Sequence, residues 1–350
     1  MYLTLHRREL HLRTPFAIAR NTTSVRATTI VELRDDDGLT GYGEVSDNPY
    51  YTEAHPDTVA AVLKGLGGVL AEAHPDRPRD LREACGSLVG DNPFALSALD
   101  MAAHDLAARR AELPLYAYWG FAWPEGDCVP VSNYTLSLAA PPEVLAQARA
   151  NPWPSYKVKL GGAHDIATLE LLRAELPAAT RLCVDANAGW HDPAEALAKA
   201  RRLRQLGVAF LEQPMPRGAF AQTAALREAL REGVAMPLVA DEDCQTSADV
   251  ERCAGAYDVI NVKLSKCGGP TAALEMVRDA RARGLGVMFG CMVESSFAMG
   301  VLRHFSPAAD FLDLDGHLLV GDDPGRGVAF RDDGRPARPE ATGSGAAWRR

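Results

Sequence analysis

The sequence predicts an α/β protein in which a closed parallel barrel follows a smaller N-terminal α+β region. From about residue 128 onward, eight short apolar segments alternate with amphipathic helical patterns, which is typical of a parallel β/α barrel. The preceding residues show a strand–turn–strand pattern followed by helices, which indicates an α+β arrangement. At roughly 150 residues per domain, a chain of 350 residues is long enough for two such units.

The N-terminal region begins with a predicted β-hairpin. Its two strands are rich in β-branched and aromatic residues, and the DDDG sequence between them is a turn signal. The polar stretch that follows contains two prolines and is predicted to be a loop. The predicted elements are strands at 28–34 and 39–45, the turn at 35–38, the loop at 46–56, and helices at 57–73 and 93–112.

The barrel is predicted from apolar segments bounded by turn residues and joined by helices of 3.6-residue periodicity. The predicted strands are 128–136, 156–160, 181–187, 208–214, 237–242, 258–264, 286–292 and 310–316. The predicted helices between them are 166–176, 194–206, 219–232, 247–254 and 271–283. The tail, 332–350, is rich in Gly, Pro, Ala and Arg, and we expect its end to be frayed.

Composition and charge exclude several classes of function. A chain with 47% hydrophobic and 24% charged residues is globular, and its net charge of −9 would repel nucleic acid. Its apolar runs are far shorter than the ~20 residues that cross a bilayer, and its start does not resemble a signal peptide. The seven cysteines are scattered without a CxxC pair, so we expect reduced thiols and a cytoplasmic protein.

Carboxylates follow the apolar part of three successive predicted barrel strands. Asp185, Glu212 and Asp241 each stand near the end of their strand, and the carboxyl ends of barrel strands meet at one rim. A set of oxygen ligands without cysteine or histidine favours Mg²⁺ over zinc. The sequence therefore predicts a magnesium site formed by these three residues.

Two lysines flank the three carboxylates in strand order. Lys159 precedes them and Lys263 follows them, so in a closed barrel the two amines should face each other across the metal. A lysine base needs a lowered pKa, which the nearby cation of Lys157 could provide. Such a site suits removal of a proton next to a carboxylate through an enediolate, with return of the proton to the opposite face. Lys266 is the alternative to Lys263, which we prefer because it lies in the strand.

A simpler interpretation of each strand-end charge is a helix cap or a solvated loop residue. Asp185 and Asp241 could each cap the helix that follows. This interpretation weakens when it must explain the same pattern at seven strands.

Several motifs resemble those of the muconate-lactonising branch of the enolase superfamily. They are KVK at 157–159, DAN at 185–187, LEQP at 211–214, ADED at 240–243 and NVKLSKCGG at 261–269. The resemblance covers nearly the whole chain and includes GYGEV at 41–45. The superfamily uses a Lys or His base with one or two Mg²⁺ ions.

This resemblance implies a (β/α)7β TIM-like barrel beneath an N-terminal α+β capping domain that the C-terminal segment completes. The corresponding ranges here are 1–118 for the capping domain, 119–316 for the catalytic barrel and 317–350 for the returning segment. It also assigns the metal to Asp185, Glu212 and Asp241, acid and base catalysis to Lys159 and Lys263, and the auxiliary cation to Lys157. The histidine that mandelate-type relatives carry at the seventh strand is absent here.

Two further motifs, GCMVES at 290–295 and DLDG at 313–316, are similar to those of dipeptide epimerases. In these enzymes a DxD pair after the eighth strand binds the α-ammonium of the substrate, and the pair corresponds to Asp313 and Asp315. Two carboxylates on one strand face also suit an amino group on chemical grounds. The resemblance adds Thr135, Arg20 and Glu294 as substrate contacts.

The predicted specificity signals in the capping loops conflict. Arg20 resembles an arginine that reaches the acidic side chain of the substrate in Ala-Glu epimerases, whereas Asp47 and Glu53 would attract a cation. One position also departs from the family pattern. The motif that usually reads ADES is ADED here, with Asp243 in place of serine, and we leave Asp243 out of the ligand set.

The sequence thus predicts a Mg²⁺-dependent dipeptide epimerase that inverts the α-carbon of the C-terminal residue of a small-molecule dipeptide. We expect a cytoplasmic homo-oligomer with no nucleic-acid or membrane partner. An N-acylamino acid racemase, an o-succinylbenzoate synthase or a cycloisomerase would share the triad and the lysines, but none needs a carboxylate pair for an ammonium group. A non-catalytic metal- or peptide-binding relative is the alternative from another class, and it has no use for two opposed bases.

Overall fold

The computed structural model describes residues 1–18, 21–48, 50–90, 92–231 and 236–349. Arg20, a predicted substrate contact, lies outside the described residues. The described chain forms a three-stranded antiparallel sheet, an eight-stranded parallel sheet and a C-terminal strand pair. Among its helices, none has the length and apolar character needed to cross a bilayer.

The N-terminal region is an antiparallel meander followed by four helices. Its elements are β1 (Tyr2–Ile18), β2 (Asn21–Arg34), β3 (Thr40–Ser46), α1 (Pro56–Lys64), α2 (Gly67–Glu72), α3 (Pro78–Val89) and α4 (Pro93–Arg110). The predicted hairpin is β2–β3. β1 has no counterpart in the sequence prediction. Its apolar alternation, at Leu3 and Leu5 and again at Leu10 and Leu12, is interrupted by the polar run HRRE at 6–9. The single helix predicted at 57–73 is wrong, since α1 ends at Lys64 and a separate helix, α2, begins at Gly67.

The GYGEV motif brings β3 into close contact with α4. A Cβ atom at Gly41 would overlap the carbonyl oxygen of Ala102, and one at Gly43 would overlap that of Ala98. Glycine at these two positions therefore lets the helix pack directly on the strand backbone.

The barrel consists of eight parallel strands, each hydrogen-bonded to its neighbours in chain order. Its elements are α5 (Leu115–Tyr118), β4 (Tyr134–Leu136), α6 (Pro141–Ala150), β5 (Ser155–Lys159), α7 (Asp165–Glu175), β6 (Arg181–Asp185), α8 (Pro193–Gln205), β7 (Leu211–Glu212), α9 (Phe220–Ala229), β8 (Leu238–Ala240), α10 (Ser247–Ala254), β9 (Val259–Val262), α11 (Leu264–Cys267), α12 (Pro270–Ala282), β10 (Gly286–Gly290), α13 (Ser296–Leu302) and β11 (Phe311–Asp313). A parallel bridge between Ser132 and Leu312 joins the first and last strands. The predicted barrel with an N-terminal capping sheet is therefore confirmed, although most strands are shorter than predicted.

The C-terminal segment returns to the N-terminal region. The backbone N–H of Gly321 donates to the carbonyl of His11 at 2.7 Å, and that of Ser344 donates to Asp105 Oδ1 at 2.6 Å. The expected fraying of the tail is wrong, because β13 (Ala347–Trp348) pairs with β12 (Gly325–Arg326). These contacts are consistent with a capping domain completed by the C-terminal segment, and the boundaries at 118 and 316 stay a prediction.

The capping domain is attached to the barrel through a buried carboxylate. Glu44 on β3 accepts hydrogen bonds from the backbone N–H and Oγ of Ser295, at 3.0 and 2.6 Å, and from the backbone N–H of Ala298 at 3.1 Å. Thr28 on β2 donates a further hydrogen bond at 2.8 Å. Glu44 therefore caps the N-terminus of α13, where a negative charge is stabilised by the free N–H groups.

We predict that Glu44→Ala lowers the free energy of unfolding by about 3 kcal/mol, because buried donors of α13 and Ser295 lose their acceptor. Urea denaturation at pH 7 measures this change. Glu53→Ala is the control, since Glu53 is an exposed carboxylate of the same domain, and it should change the free energy by less than about 0.5 kcal/mol. An effect of Glu44→Ala as small as that of the control would contradict the proposed attachment.

A second buried carboxylate, Glu294, lies at the same junction. Burial, together with the nearby charge of Glu44, raises the pKa of Glu294 from its ordinary 4.5 to about 8. The folded protein thus holds a proton that the unfolded chain releases between these two pH values. The contribution of Glu294 to stability is complete below the unfolded pKa and is lost as the pH rises towards the folded pKa.

We predict that Glu294→Gln removes this pH dependence, because glutamine cannot ionise. At each pH, the free energy of unfolding of the unsubstituted protein is subtracted from that of the variant. This difference should be more than about 1 kcal/mol larger at pH 8 than at pH 5. Urea denaturation of both proteins at the two pH values measures the difference. An identical difference at pH 5 and pH 8 would show that Glu294 does not titrate in this way.

Candidate active site

Strand register places three carboxylates next to one another at the carboxyl end of the barrel. Lys159 pairs with Asp185 across β5 and β6, and Asp185 pairs with Glu212 across β6 and β7. Asp241 follows the last residue of β8. The three carboxylates are buried, and each offers an oxygen within 4.8 Å of the others. This all-oxygen donor set fits a hard divalent cation such as Mg²⁺.

The two lysines predicted as acid and base contact opposite ends of this triad. Lys159 Nζ lies 2.7 Å from Asp185 Oδ2, and Lys263 Nζ lies 2.9 Å from Asp241 Oδ2. Because the strands follow one another in the order β5 to β9, Lys159 and Lys263 are separated by the three strands that carry the carboxylates. The two amines thus flank the site as the strand order predicts.

Lys157 lies deeper in the barrel than Lys159. Its Nζ is 2.7 Å from Glu212 Oε2 and 2.8 Å from Asp313 Oδ2. Burial alone would lower the pKa of Lys157, but Asp313, Glu212 and Asp185 raise it well above its ordinary value. Lys157 is therefore a fixed positive charge that compensates the carboxylates.

The crowding of like charges is visible in the pKa values of the triad. Burial raises the pKa of Glu212 to about 7, and Asp185 and Asp241 add to this shift. For Asp185 burial acts in the same direction, but Lys159 and Lys157 outweigh it and lower the pKa. A cation among these oxygens would relieve the repulsion that Glu212 experiences.

The pKa of Lys263 differs from the sequence prediction. We expected a lowered value for each catalytic lysine, and burial does act in that direction. The carboxylates of Asp241 and Glu212 outweigh burial and raise the pKa of Lys263 above its ordinary value. The carboxylates that the barrel places beside Lys263 thus act more strongly on its pKa than the neighbouring cation that the prediction considered.

Lys266 also belongs to the site, although the sequence offered it only as an alternative to Lys263. Its buried Nζ donates to Asp241 Oδ1 at 2.5 Å and to the carbonyl oxygens of Asp241 and Cys244, at 2.7 and 3.3 Å. Lys263 itself lies just beyond β9, as the N-cap of α11, so the reason given for preferring it was wrong. Residues three apart on a helix share a face. The spacing of Lys263 and Lys266 could therefore have indicated that both lysines reach the same carboxylate.

Two asparagines that the sequence did not assign to the site hold the carboxylates in place. Asn187 donates its backbone N–H to Asp185 Oδ1 at 2.9 Å and its Nδ2 to Oδ2 at 3.1 Å. Asn261 Nδ2 donates to Glu212 Oε1 at 2.8 Å. Asn261 stands two residues before Lys263, so strand alternation could have placed it inside the barrel.

The predicted ammonium-binding pair lies across the barrel from the triad. Asp313 Oδ2 is paired with Lys157, while its buried Oδ1 has no hydrogen-bond partner in the described structure. Asp315 Oδ2 accepts from the backbone N–H of Thr135 at 2.5 Å. Burial and the charge of Asp313 raise the pKa of Asp315 to about 6. Asp313 therefore supplies a free acceptor, and Asp315 is held by Thr135.

A cavity of about 140 Å³ separates the barrel rim from the capping domain. Most of the predicted site residues line it, namely Thr135, Lys157, Lys159, Asp241, Lys263, Asp313 and Asp315. The capping domain contributes Phe16, Ile18, Arg26, Asp47 and Tyr51 among others. Glu53, considered as a charge in the capping loop, is exposed and lies outside this lining.

The structure does not bring Glu294 to this cavity, contrary to the predicted substrate contact. Glu294 lines a separate small cavity with Met101 and Ser265. Its Oε2 accepts from the backbone N–H of Met292 at 3.3 Å. The GCMVES motif thus contributes Cys291, Met292 and Val293 to the lining of the main cavity.

Comparisons with known proteins agree with this geometry. Residues 2–120 match the model of the mandelate racemase/muconate lactonizing enzyme N-terminal domain, and residues 143–350 match that of enolase C-terminal domain-like proteins. The L-Ala-D/L-amino acid epimerase of Maribacter sp. is 36% identical over 345 residues, which cover 99% of this chain and 98% of the relative.

Solved structures of dipeptide epimerases share the fold over the whole chain. The enzyme of Methylococcus capsulatus, complexed with Mg and the dipeptide L-Arg-D-Lys, superposes with a TM-score of 0.91 at 30% identity and covers 99% of both chains. The enzyme of Cytophaga hutchinsonii, complexed with Mg and D-Ala-L-Val, has a TM-score of 0.91 at 29% identity over 99% of this chain and 95% of its own. The chain therefore belongs to the mandelate racemase/muconate lactonizing enzyme family of the enolase superfamily.

Proposed function

We propose that this protein is a Mg²⁺-dependent epimerase that inverts the α-carbon of the C-terminal residue of a dipeptide. The observation that carries the proposal is the carboxylate triad flanked by Lys159 and Lys263, with an unpaired oxygen of Asp313 across the cavity. The Mg-bound and dipeptide-bound relatives support it. Its cytoplasmic location and homo-oligomeric state stay predictions from the sequence.

Asp185, Glu212 and Asp241 are the residues that would hold the metal ion. Bound Mg²⁺ would supply a Lewis acid for the negative charge that develops on the substrate carboxylate when the α-proton leaves. Asn187 and Asn261 keep the carboxylates of Asp185 and Glu212 in position through the hydrogen bonds described above.

Lys159 and Lys263 would carry the proton to and from the two faces of the α-carbon. The lysine facing the α-hydrogen takes the proton, and the lysine on the other flank donates one to the planar enediolate. Because the two amines lie on opposite flanks of the triad, this exchange inverts the stereocentre. Lys157 is committed to Glu212 and Asp313 and remains charged throughout.

Asp313 would bind the α-ammonium of a dipeptide. Its buried Oδ1 has no partner among the described residues, and a buried carboxylate oxygen is stabilised by a charged N–H donor. Asp315 and Thr135 complete this wall of the cavity. The N-acyl substrates of an N-acylamino acid racemase have no ammonium group and would leave this acceptor unsatisfied, so the observation favours the dipeptide.

We predict that the protein, with Mg²⁺ and a panel of L,L-dipeptides in D₂O, places deuterium at the C-terminal α-carbon and inverts it. Lys159→Ala and Lys263→Ala should each reduce inversion by at least about 10³-fold, because either variant lacks a proton carrier on one flank. Each variant should still exchange the α-proton of the epimer that faces its remaining lysine. Proton NMR and chiral chromatography measure exchange and inversion separately.

Lys64→Ala is the control for these variants, since Lys64 is an exposed lysine of α1. It should leave both rates unchanged. Full inversion by either active-site variant would contradict the two-base assignment.

We predict that Asp313→Asn lowers kcat/KM for dipeptides by about 30–100-fold, because a charge-assisted hydrogen bond to the ammonium is lost. For an N-acetylated analogue of the same dipeptide, which has no ammonium group, the kcat/KM of the variant should fall far less below that of the unsubstituted protein. Steady-state kinetics with both substrates checks this difference, and Asp36→Asn, at an exposed aspartate, is the control. Equal losses on both substrates would contradict ammonium recognition by Asp313.

A further inference from the structure

Asp243, which stands where the family motif usually has serine, is buried and turned away from the carboxylate triad. Its Oδ1 accepts from the backbone N–H of Gly218 at 2.6 Å. Its Oδ2 accepts from Tyr257 OH at 2.6 Å and from Gln213 Nε2 at 3.0 Å. All three partners are donors, so a carboxylate, which accepts with both oxygens, satisfies each of them.

The contact with Gln213 connects Asp243 to the metal-binding strands. Gln213 follows Glu212, and its backbone lies in the left-handed region with φ of +33°, a conformation that non-glycine residues rarely adopt outside constrained sites. Its Oε1 accepts from the backbone N–H groups of Asp241 at 3.1 Å and Asp243 at 3.2 Å. The side chain of Gln213 thus joins the end of β7 to the turn that carries Asp241.

The orientation of the Gln213 amide is fixed by its partners. Its Nε2, with two N–H groups, lies within hydrogen-bond distance of three acceptors, which are the carbonyl of Met215 at 3.1 Å, Tyr257 OH at 3.0 Å and Asp243 Oδ2. A reversed amide would direct NH₂ at the two backbone N–H groups and a carbonyl oxygen at Asp243, and both contacts would be repulsive. Asp243 and Tyr257 therefore keep Oε1 facing the backbone of Asp241.

This link matters because Asp241 lies beyond the strand ladder. β8 ends at Ala240, so the Asp241 N–H has no ladder partner and is held by Gln213. The backbone N–H of Gln213 in turn donates to the carbonyl of Val239 at 2.9 Å. The relative position of Glu212 and Asp241, two of the three carboxylates, thus depends on the amide that Asp243 orients.

We propose that Asp243 is a positioning residue that sets the spacing of Glu212 and Asp241 for the divalent cation, acting through Gln213. The inference rests on the proposed metal site. A serine at this position is shorter and has one side-chain oxygen, so it could not accept from Gly218 on one side and from Gln213 and Tyr257 on the other. The carboxylate of Asp243 thus serves all three donors in this chain.

The test is calorimetric titration of the folded protein with Mg²⁺ alone, combined with the Mg²⁺ dependence of dipeptide epimerisation. Asp243→Asn should weaken Mg²⁺ binding by about 10-fold or more, since an NH₂ group would meet donors. The Mg²⁺ concentration for half-maximal activity should rise equally, while kcat at saturating Mg²⁺ stays within about 2-fold. Tyr257→Phe removes one donor and should weaken binding by about 3-fold, which keeps the test decisive if Asp243→Asn does not fold.

Asp249→Asn is the matched control. Asp249 is a capping carboxylate of α10 that accepts from the backbone N–H of Thr246 at 2.9 Å, and its hydrogen bonds and ion pair go to residues other than Gln213. This variant should lower the melting temperature and leave the Mg²⁺ dissociation constant unchanged.

Unchanged Mg²⁺ binding by folded Asp243→Asn and Tyr257→Phe would overturn the positioning role, and so would equal weakening by Asp249→Asn. If the unsubstituted protein binds no Mg²⁺, the proposed function itself fails, and this inference fails with it.

Discussion

The structure depends on the electrostatic balance around three buried carboxylates. Asp185, Glu212 and Asp241 place oxygens within 4.8 Å of one another, where burial and mutual repulsion both oppose ionisation. Four lysines compensate this charge, with Lys157 and Lys159 on one side and Lys263 and Lys266 on the other. An eight-stranded parallel barrel supplies such an arrangement because consecutive strands deliver their end residues to a single rim. The same charges that make the site costly to bury also make it suited to a divalent cation and an anionic substrate.

Carboxylates of the capping domain also hold that domain to barrel helices and to the C-terminal segment. Glu44 accepts hydrogen bonds at the start of α13, and Asp100 on α4 accepts from the backbone N–H of Thr271, at the start of α12, at 2.7 Å. Asp105 on α4 accepts from the backbone of Ser344 in the returning segment. In the two helix contacts, an acidic side chain of the capping domain accepts from N–H groups at a helix start, which lack a partner in their own helix. Charged barrel residues thus line one side of the cavity between the domains, and residues of the capping domain line the other.

The sequence predicted the residues whose positions follow from strand order. Asp185, Glu212 and Lys159 lie on regular strands, so counting strands and apolar segments placed them at the rim. The predictions failed for residues that lie beyond the last hydrogen-bonded residue of a strand. Strand alternation would place Asp243 on the same face as Asp241, but β8 ends at Ala240, and the side chain of Gln213 shapes the turn that follows. Glu294 likewise lies beyond its strand, since β10 ends at Gly290, and it lines a separate small cavity. The conformation of such turns depends on side-chain hydrogen bonds between segments that are distant in the sequence. The local periodicity of the sequence does not indicate these bonds.

The most direct test of the opposed-amine arrangement is a crystal structure of the protein with Mg²⁺ and a dipeptide. We expect the ion to be coordinated by Asp185, Glu212 and Asp241. The C-terminal α-carbon should lie between the Nζ atoms of Lys159 and Lys263, each about 3–3.5 Å away on opposite faces. An α-carbon with both amines on the same face, or an ion bound by a different set of residues, would contradict the mechanism.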